Sequence, residues 1–174
     1  VLVRSRGLGD VYKRQTEGVY TLGGDQGIAM EVIANSAVET AMANAYASGV
    51  VFGGTSAGAA VQSINMINGY TDPGYPENAL EKDKVIVWWA NDQTGSDDFT
   101  RGPSFASQRA ITDPHFYQRG RFGRLLNVVG LSDVQYNGAS KVGVAVDYAT
   151  GAQITNDTTV HAVFRDSSAT SIDG

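Results

Sequence analysis

The segment Val50 to Ala59 constrains the fold more than any other part of the chain. Three apolar residues, Val50, Val51 and Phe52, run into Gly53-Gly54-Thr55-Ser56-Ala57-Gly58-Ala59, and an apolar, helix-forming stretch follows. A short all-apolar strand that ends in small residues and passes straight into a helix belongs to a parallel α/β sheet, buried on both faces. A serine at that junction is held on a tight turn. Its hydroxyl projects above the sheet edge, and the amides beyond it open toward developing negative charge. Ser56 is therefore a candidate nucleophile.

The flanking pattern extends the α/β reading. Gly18 to Leu22 reads as a strand stopped by Gly23-Gly24-Asp25-Gln26. From Ile28 to Ala47 apolar residues recur with a helical period, closed by Ser48-Gly49. Ala57 to Ile67 predicts a second helix ended by Gly69, and Tyr70 to Asn78 a turn-rich loop. Val85 to Trp89 predicts a strand, Asn91 to Ser104 an exposed polar stretch, and Ala110 to Asp113 a strand leading into a helix over Arg119 to Val129. Val142 to Val146, Ala152 to Thr155 and Val160 to Phe164 are β-rich, so the C-terminal third is mostly sheet. The expected fold class is α/β, a mostly parallel central sheet flanked by helices.

At 174 residues one domain is expected, long enough to bury a core. A composition 42% hydrophobic and 18% charged suits a globular protein, and no apolar run reaches the roughly 20 residues of a membrane span. A formal charge of −5 argues against nucleic-acid binding. The absence of cysteine excludes disulfides, thiolate catalysis and cysteine-ligated metals. Residues 1–15 have no clear apolar period, lack the features of a signal peptide and resemble translated sequencing adaptor. They are left out of the fold expectation, which places a partial α/β domain over residues 16–174. Oligomeric state and compartment are not legible, and a homodimer stays open.

A serine hydroxyl needs a base near neutral pH. The chain has two histidines. His161 alternates with Val160, Ala162 and Val163 and reads as a structural or surface residue. His115, in Asp113-Pro114-His115-Phe116, falls at a strand end, where catalytic groups of open α/β sheets gather. A carboxylate should orient the imidazole. Asp72, Glu77, Asp97 and Asp98 lie between serine and histidine, and spacing does not choose among them. Gly24 follows a strand and precedes a helix, so its amide could complete an oxyanion site with that of Ala57. Arg119, Arg121 and Arg124 could clamp carboxylates bidentately or form an ordinary basic face on an amphipathic helix.

Three elements, taken in order, resemble the cyanophycinase family of serine peptidases, relatives of the α-aspartyl dipeptidases. They are Gly23-Gly24-Asp25-Gln26, Gly54-Thr55-Ser56-Ala57-Gly58-Ala59, and the run from Asp113 to Leu126 with one histidine and three arginines at fixed offsets. The similarity covers roughly Gly18 to Val146, and the chain looks like an internal fragment of a longer cyanophycinase, with export of the parent left open. The resemblance implies a class I glutamine amidotransferase-like, flavodoxin-like sheet whose N-terminal strands are missing, leaving an apolar edge.

It also implies Ser56 as nucleophile, His115 as general base and Glu77 as the triad acid, with Asp72 as the alternative. Gly24, Asp25, Gln26, Ala57, Asp113, Arg119, Arg121 and Arg124 fall at oxyanion or substrate-binding positions. The implied reaction is hydrolysis of cyanophycin, an arginine-decorated polyaspartate, to β-aspartyl-arginine dipeptides without metal or cofactor. One departure is Pro114, where the family usually has glutamine. Proline removes an amide side chain and a backbone N–H, and restricts Asp113 to extended conformations.

Two other readings are compatible with the residues. Gly54-x-Ser56-x-Gly58 also fits the elbow of an α/β-hydrolase esterase, although no lipase-type oxyanion motif lies upstream. A non-catalytic amidotransferase-like binding module would use the arginines alone.

Overall fold

The computed structural model of the protein describes residues 2–5, 16–71, 76–81, 84–89, 101–135 and 141–164. Strands β1 (Leu2–Ser5) and β2 (Thr16–Thr21) precede helices α1 (Gln26–Ile33) and α2 (Ala37–Ala47). Strand β3 (Val51–Gly54), helix α3 (Ala57–Ala60) and strands β4 (Met66–Tyr70) and β5 (Val85–Trp88) follow. Strand β6 (Ala110–Pro114), helix α4 (Phe122–Gln135) and strands β7 (Val142–Val146), β8 (Thr150–Thr155) and β9 (Thr159–Phe164) complete the order.

The fold is mixed α/β, built on two parallel strand pairs. β2 pairs with β3 from Gly18↔Val51 to Thr21↔Gly54, and α1 and α2 form the crossover between them. β6 pairs with β7 from Ala110↔Val142 to Pro114↔Val146, with α4 as crossover. Helical crossovers of this kind are what parallel pairing requires. β4–β5 and β8–β9 are antiparallel.

The single mostly parallel central sheet expected above is not formed among the described residues. The strands divide into four small sheets. Helix α3 packs against β2, β3 and β6, and no ladder among the described residues joins the two parallel pairs. The edge of β2 expected to lie open is paired antiparallel by β1, a segment the fold expectation had left out.

Three element boundaries differ from expectation. The helix expected over Ile28 to Ala47 is two helices, because Asn35 takes a positive φ of 55° and Ser36 caps the second. The Ser36 hydroxyl accepts from the amides of Val38 and Glu39, while the Glu39 carboxylate accepts from the Asn35 amide at 2.7 Å. Ser36 caps the helix while Glu39 reaches back to the residue before the cap, a break that a continuous apolar period conceals.

The helix expected over Ala57 to Ile67 stops at Ala60. Beyond it, the Ile64 amide donates to the Ser107 carbonyl at 3.0 Å and the Ser107 amide to the Gln62 carbonyl at 2.9 Å. Tertiary pairing thus overrides local helix propensity. The third helix begins at Phe122, since residues 115–121 form a turn with Gly120 at φ 58°.

The polar stretch expected to be exposed is partly contradicted. Gly102 and Pro103 are buried, and residues 90–100 lie outside the described residues. Arg101 reaches the buried Glu39, whose carboxylate also accepts from the Ser104 amide at 2.7 Å.

Apolar side chains gather in two clusters. Met30, Ile33, Ala60, Val61 and Met66 pack between α1, α3 and β4. Ile67, Val85, Val87, Ile111, Leu125 and Val128 pack between β4, β5, β6 and α4. Between them the clusters hold α1, α3, β4, β6 and α4, elements from which the site is built.

Candidate active site

The C-terminal ends of parallel strands are where α/β folds present reactive groups. Here β3 ends at Gly54 and delivers Ser56, and β6 ends at Pro114 and delivers His115. Ser56 Oγ lies 2.8 Å from His115 Nε2. Both residues adopt left-handed backbone conformations, Ser56 at φ 54° and His115 at φ 52°. Non-glycine residues occupy that region at a cost and cluster at functional sites. In Ser56 the strain turns the chain from strand to helix within one residue and leaves the hydroxyl exposed to the cleft.

The elbow depends on its glycines. A Cβ on Gly54 would meet the Gly58 carbonyl oxygen at 2.0 Å, and one on Gly58 would meet the Thr21 carbonyl oxygen at 2.1 Å. Those contacts are with backbone and cannot relax by a rotamer change. The elbow can therefore close only because both positions lack a side chain.

The imidazole's second nitrogen, Nδ1, lies 3.1 Å from Gln118 Oε1. A carbonyl oxygen only accepts, so this contact assigns the proton to Nδ1 and leaves the Nε2 lone pair toward the serine hydroxyl. That is the tautomer a general base requires. The resemblance implied a carboxylate, Glu77, as the acid of the triad. The structure places Glu77 exposed in the 3-10 turn Pro76–Asn78, and no described hydrogen bond joins it to His115. Asp72, Asp97 and Asp98 lie outside the described residues.

Gly24, Gln26, Ala57 and Arg119 line the same cleft as Ser56 and His115, as do Asp113, Arg121 and Arg124. The amide of Ala57, first residue of α3, has no acceptor within the helix. Gly24, at φ 141°, brings a second stretch of backbone to the cleft. Gln26 donates through Nε2 to the carbonyls of Ile67 and Asn68, both at 3.0 Å, tying α1 to β4. Asp25 does not line the cleft. It caps α1, accepting from the Gly27 amide at 2.8 Å and the Ile28 amide at 3.1 Å.

Asp113 is fully buried, and both of its oxygens face arginine. Arg124 donates from Nε to Asp113 Oδ2 at 2.8 Å and from Nη2 to Oδ1, a bidentate fork. Arg124 also lies over the Tyr70 ring at 5.1 Å. Arg121 stands 3.6 Å from Asp113 Oδ1 and donates to the Pro114 carbonyl.

Burial first, and then the neighbouring Arg124 charge, push Arg121 down to about 10, with Asp113 opposing them. It thus stays cationic at neutral pH with its charge only partly compensated. Arg119 is exposed at the rim. The three arginines do not share a helix face, since Arg119 and Arg121 belong to the turn and only Arg124 to α4. The extended conformation that Pro114 imposes on Asp113 is the one β6 needs.

His161 is exposed on β9, consistent with a surface role. Among the described residues, no group of three or more histidine or acidic side chains could hold a metal ion. No helix among them is long and apolar enough to cross a membrane. No protein-family model and no curated protein matches the chain.

Proposed function

We propose that this chain carries the active site of a serine-type exopeptidase that hydrolyses cyanophycin, or a β-aspartyl peptide like it, to β-aspartyl-arginine dipeptides. The observation that carries the reading is the 2.8 Å contact between Ser56 Oγ and His115 Nε2, in a cleft that three arginines also line. The amidotransferase-like sheet belongs to the same proposal, supported by the two parallel pairs with helical crossovers.

The geometry supports a two-step acyl transfer. As Ser56 Oγ bonds to the substrate carbonyl carbon, His115 Nε2 takes the hydroxyl proton. The oxyanion develops toward the Ala57 amide, with the Gly24 backbone across the cleft. Collapse of the tetrahedral species breaks the C–N bond, and His115 returns its proton to the departing amine. Water then repeats the sequence on the acyl-serine and releases the second product. Arg121 and Arg119 suit the free α-carboxylates of the arginines that decorate the polyaspartate, while Arg124 is committed to Asp113.

The test is a paired substrate screen. Purified protein is offered insoluble cyanophycin and a series of p-nitrophenyl esters, with a fluorophosphonate probe as a substrate-independent monitor of Ser56. Dipeptide release with labelling at Ser56 is the expected result. Ester turnover without dipeptide release would favour an esterase, and an unlabelled Ser56 would leave only a binding module.

A further inference from the structure

A serine–histidine pair needs something to hold the imidazole, and here the partner is an amide rather than a carboxylate. His115 Nδ1 lies 3.1 Å from Gln118 Oε1, and the Gln118 backbone amide in turn donates to Asp147 Oδ2 at 2.9 Å. Asp147 follows β7 immediately. The parallel register that pairs Pro114 with Val146 therefore sets it beside His115, at the same end of the neighbouring strand. The Phe116 amide donates to the Val146 carbonyl at 3.3 Å, so the ladder continues into the turn. Asp147 Oδ1 accepts from the Tyr148 amide at 2.8 Å, which fixes the carboxylate from its other side.

We propose that Gln118 and Asp147 position His115 as general base, the Gln118 amide oxygen selecting its tautomer and Asp147 holding the 115–118 turn and supplying the negative charge. This rests on reading the cleft as a serine hydrolase site. The arrangement divides between two residues what one carboxylate does in a Ser-His-Asp triad. Neither residue lies between Ser56 and the histidine in sequence, where an acid is expected.

The electrostatics agree. Burial would raise the Asp147 carboxyl, but the amides of Gln118, Tyr148 and Tyr117 and then the His115 charge outweigh it and lower it. The same Coulombic attraction would act on the cationic ring during proton transfer. Among the described residues, the other charged groups of the cleft are Arg119, Arg121, Arg124 and Asp113. Asp113 is engaged by Arg124, so among the described residues Asp147 is the acid free to offset the arginines around the ring.

The test uses the rate of Ser56 labelling by a fluorophosphonate as a function of pH, together with the downfield proton resonance of the His115 Nδ1–H. A His161→Gln background leaves one imidazole to observe. Gln118→Ala is expected to lose the resonance and slow labelling by about 10- to 100-fold, and Gln118→Glu to restore both.

Asp147→Asn keeps an oxygen for the Gln118 amide. It should retain the resonance, slow labelling about tenfold and move the acid limb of the profile to lower pH, because the base has lost a charge that favours protonation. Gln118→Glu should move the limb to higher pH for the converse reason.

An acid limb unchanged in a folded Asp147→Asn protein would overturn the electrostatic role. A resonance insensitive to Gln118→Ala would overturn the tautomer role. If wild-type Ser56 were not labelled at all, the hydrolase reading would fall, and the resonance would still decide whether Gln118 holds the ring.

Discussion

Ser56 and His115 stand 59 positions apart in the chain and meet at 2.8 Å, each from a residue with positive φ. Neither backbone conformation is stable by itself, and each is imposed by the strand that precedes it and the packing beyond it. The pair is therefore a property of the folded molecule, and its disruption should separate chemistry from stability.

Ser56→Ala removes only a hydroxyl at a position already held by its neighbours. Dipeptide release from cyanophycin should fall to less than about a hundredth of wild type, while the circular dichroism spectrum stays the same. Residual turnover above that level would count heavily against Ser56 as the nucleophile.

Gly58→Ala has the opposite signature. Its Cβ would lie 2.1 Å from the Thr21 carbonyl oxygen, so backbone must move. A loss of about 3 kcal/mol in denaturant unfolding is expected, with activity lost through the elbow's geometry. A variant with wild-type stability would show that the crossing of α3 over β2 is looser than drawn.

Arg121→Ala tests the clamp. A charge-assisted hydrogen bond to substrate is worth about 1.5–3 kcal/mol, so KM should rise about 10- to 100-fold with little change in kcat. A change confined to kcat would place Arg121 in the chemistry and not in binding.

Asp113→Ala addresses the buried fork. Arg124 is 4% exposed, and removing its partner leaves a buried cation uncompensated. Destabilisation of about 3–5 kcal/mol is expected from chemical denaturation. A cost under about 1 kcal/mol would mean that water or another acid takes over.

Acid should weaken the contact between α2 and the 101–104 segment. Burial raises Glu39, but hydrogen bonding from Arg101, the amides of Ser104 and Asn35 and the Arg101 charge outweigh it and hold Glu39 at about 2, against an ordinary 4.5. A carboxyl lowered on folding stabilises fully above its unfolded value, and the contribution is lost as pH falls from about 4.5 toward 2. Stability measured across that window should decline in the wild type and decline less in Glu39→Gln, whose stability at neutral pH is already reduced.

The sequence by itself determined the local chemistry: strand before Ser56, helix after it, a histidine at a strand end and arginines close behind. Those features are legible because glycine crossings, apolar runs and short turns act over neighbouring residues. Asp25 shows the limit of that reading, since a polar residue after Gly23-Gly24 fits a binding position and a helix cap equally well until its partners are seen. Ser36 and Glu39 show another, because the helix start they fix interrupts an apolar period that counts only side-chain type.

Only the tertiary structure decided what meets His115. Gln118 reaches it through a turn whose shape depends on Gly120, and Asp147 arrives through the register of β7 on β6. The parallel ladder was the one signal that could have found Asp147, as a carboxylate next after an apolar strand. Register is set by which faces are buried, and here Thr112 and Val144, opposite each other, are both buried. Such pairing joins residues remote in sequence, and no spacing along the chain encodes it.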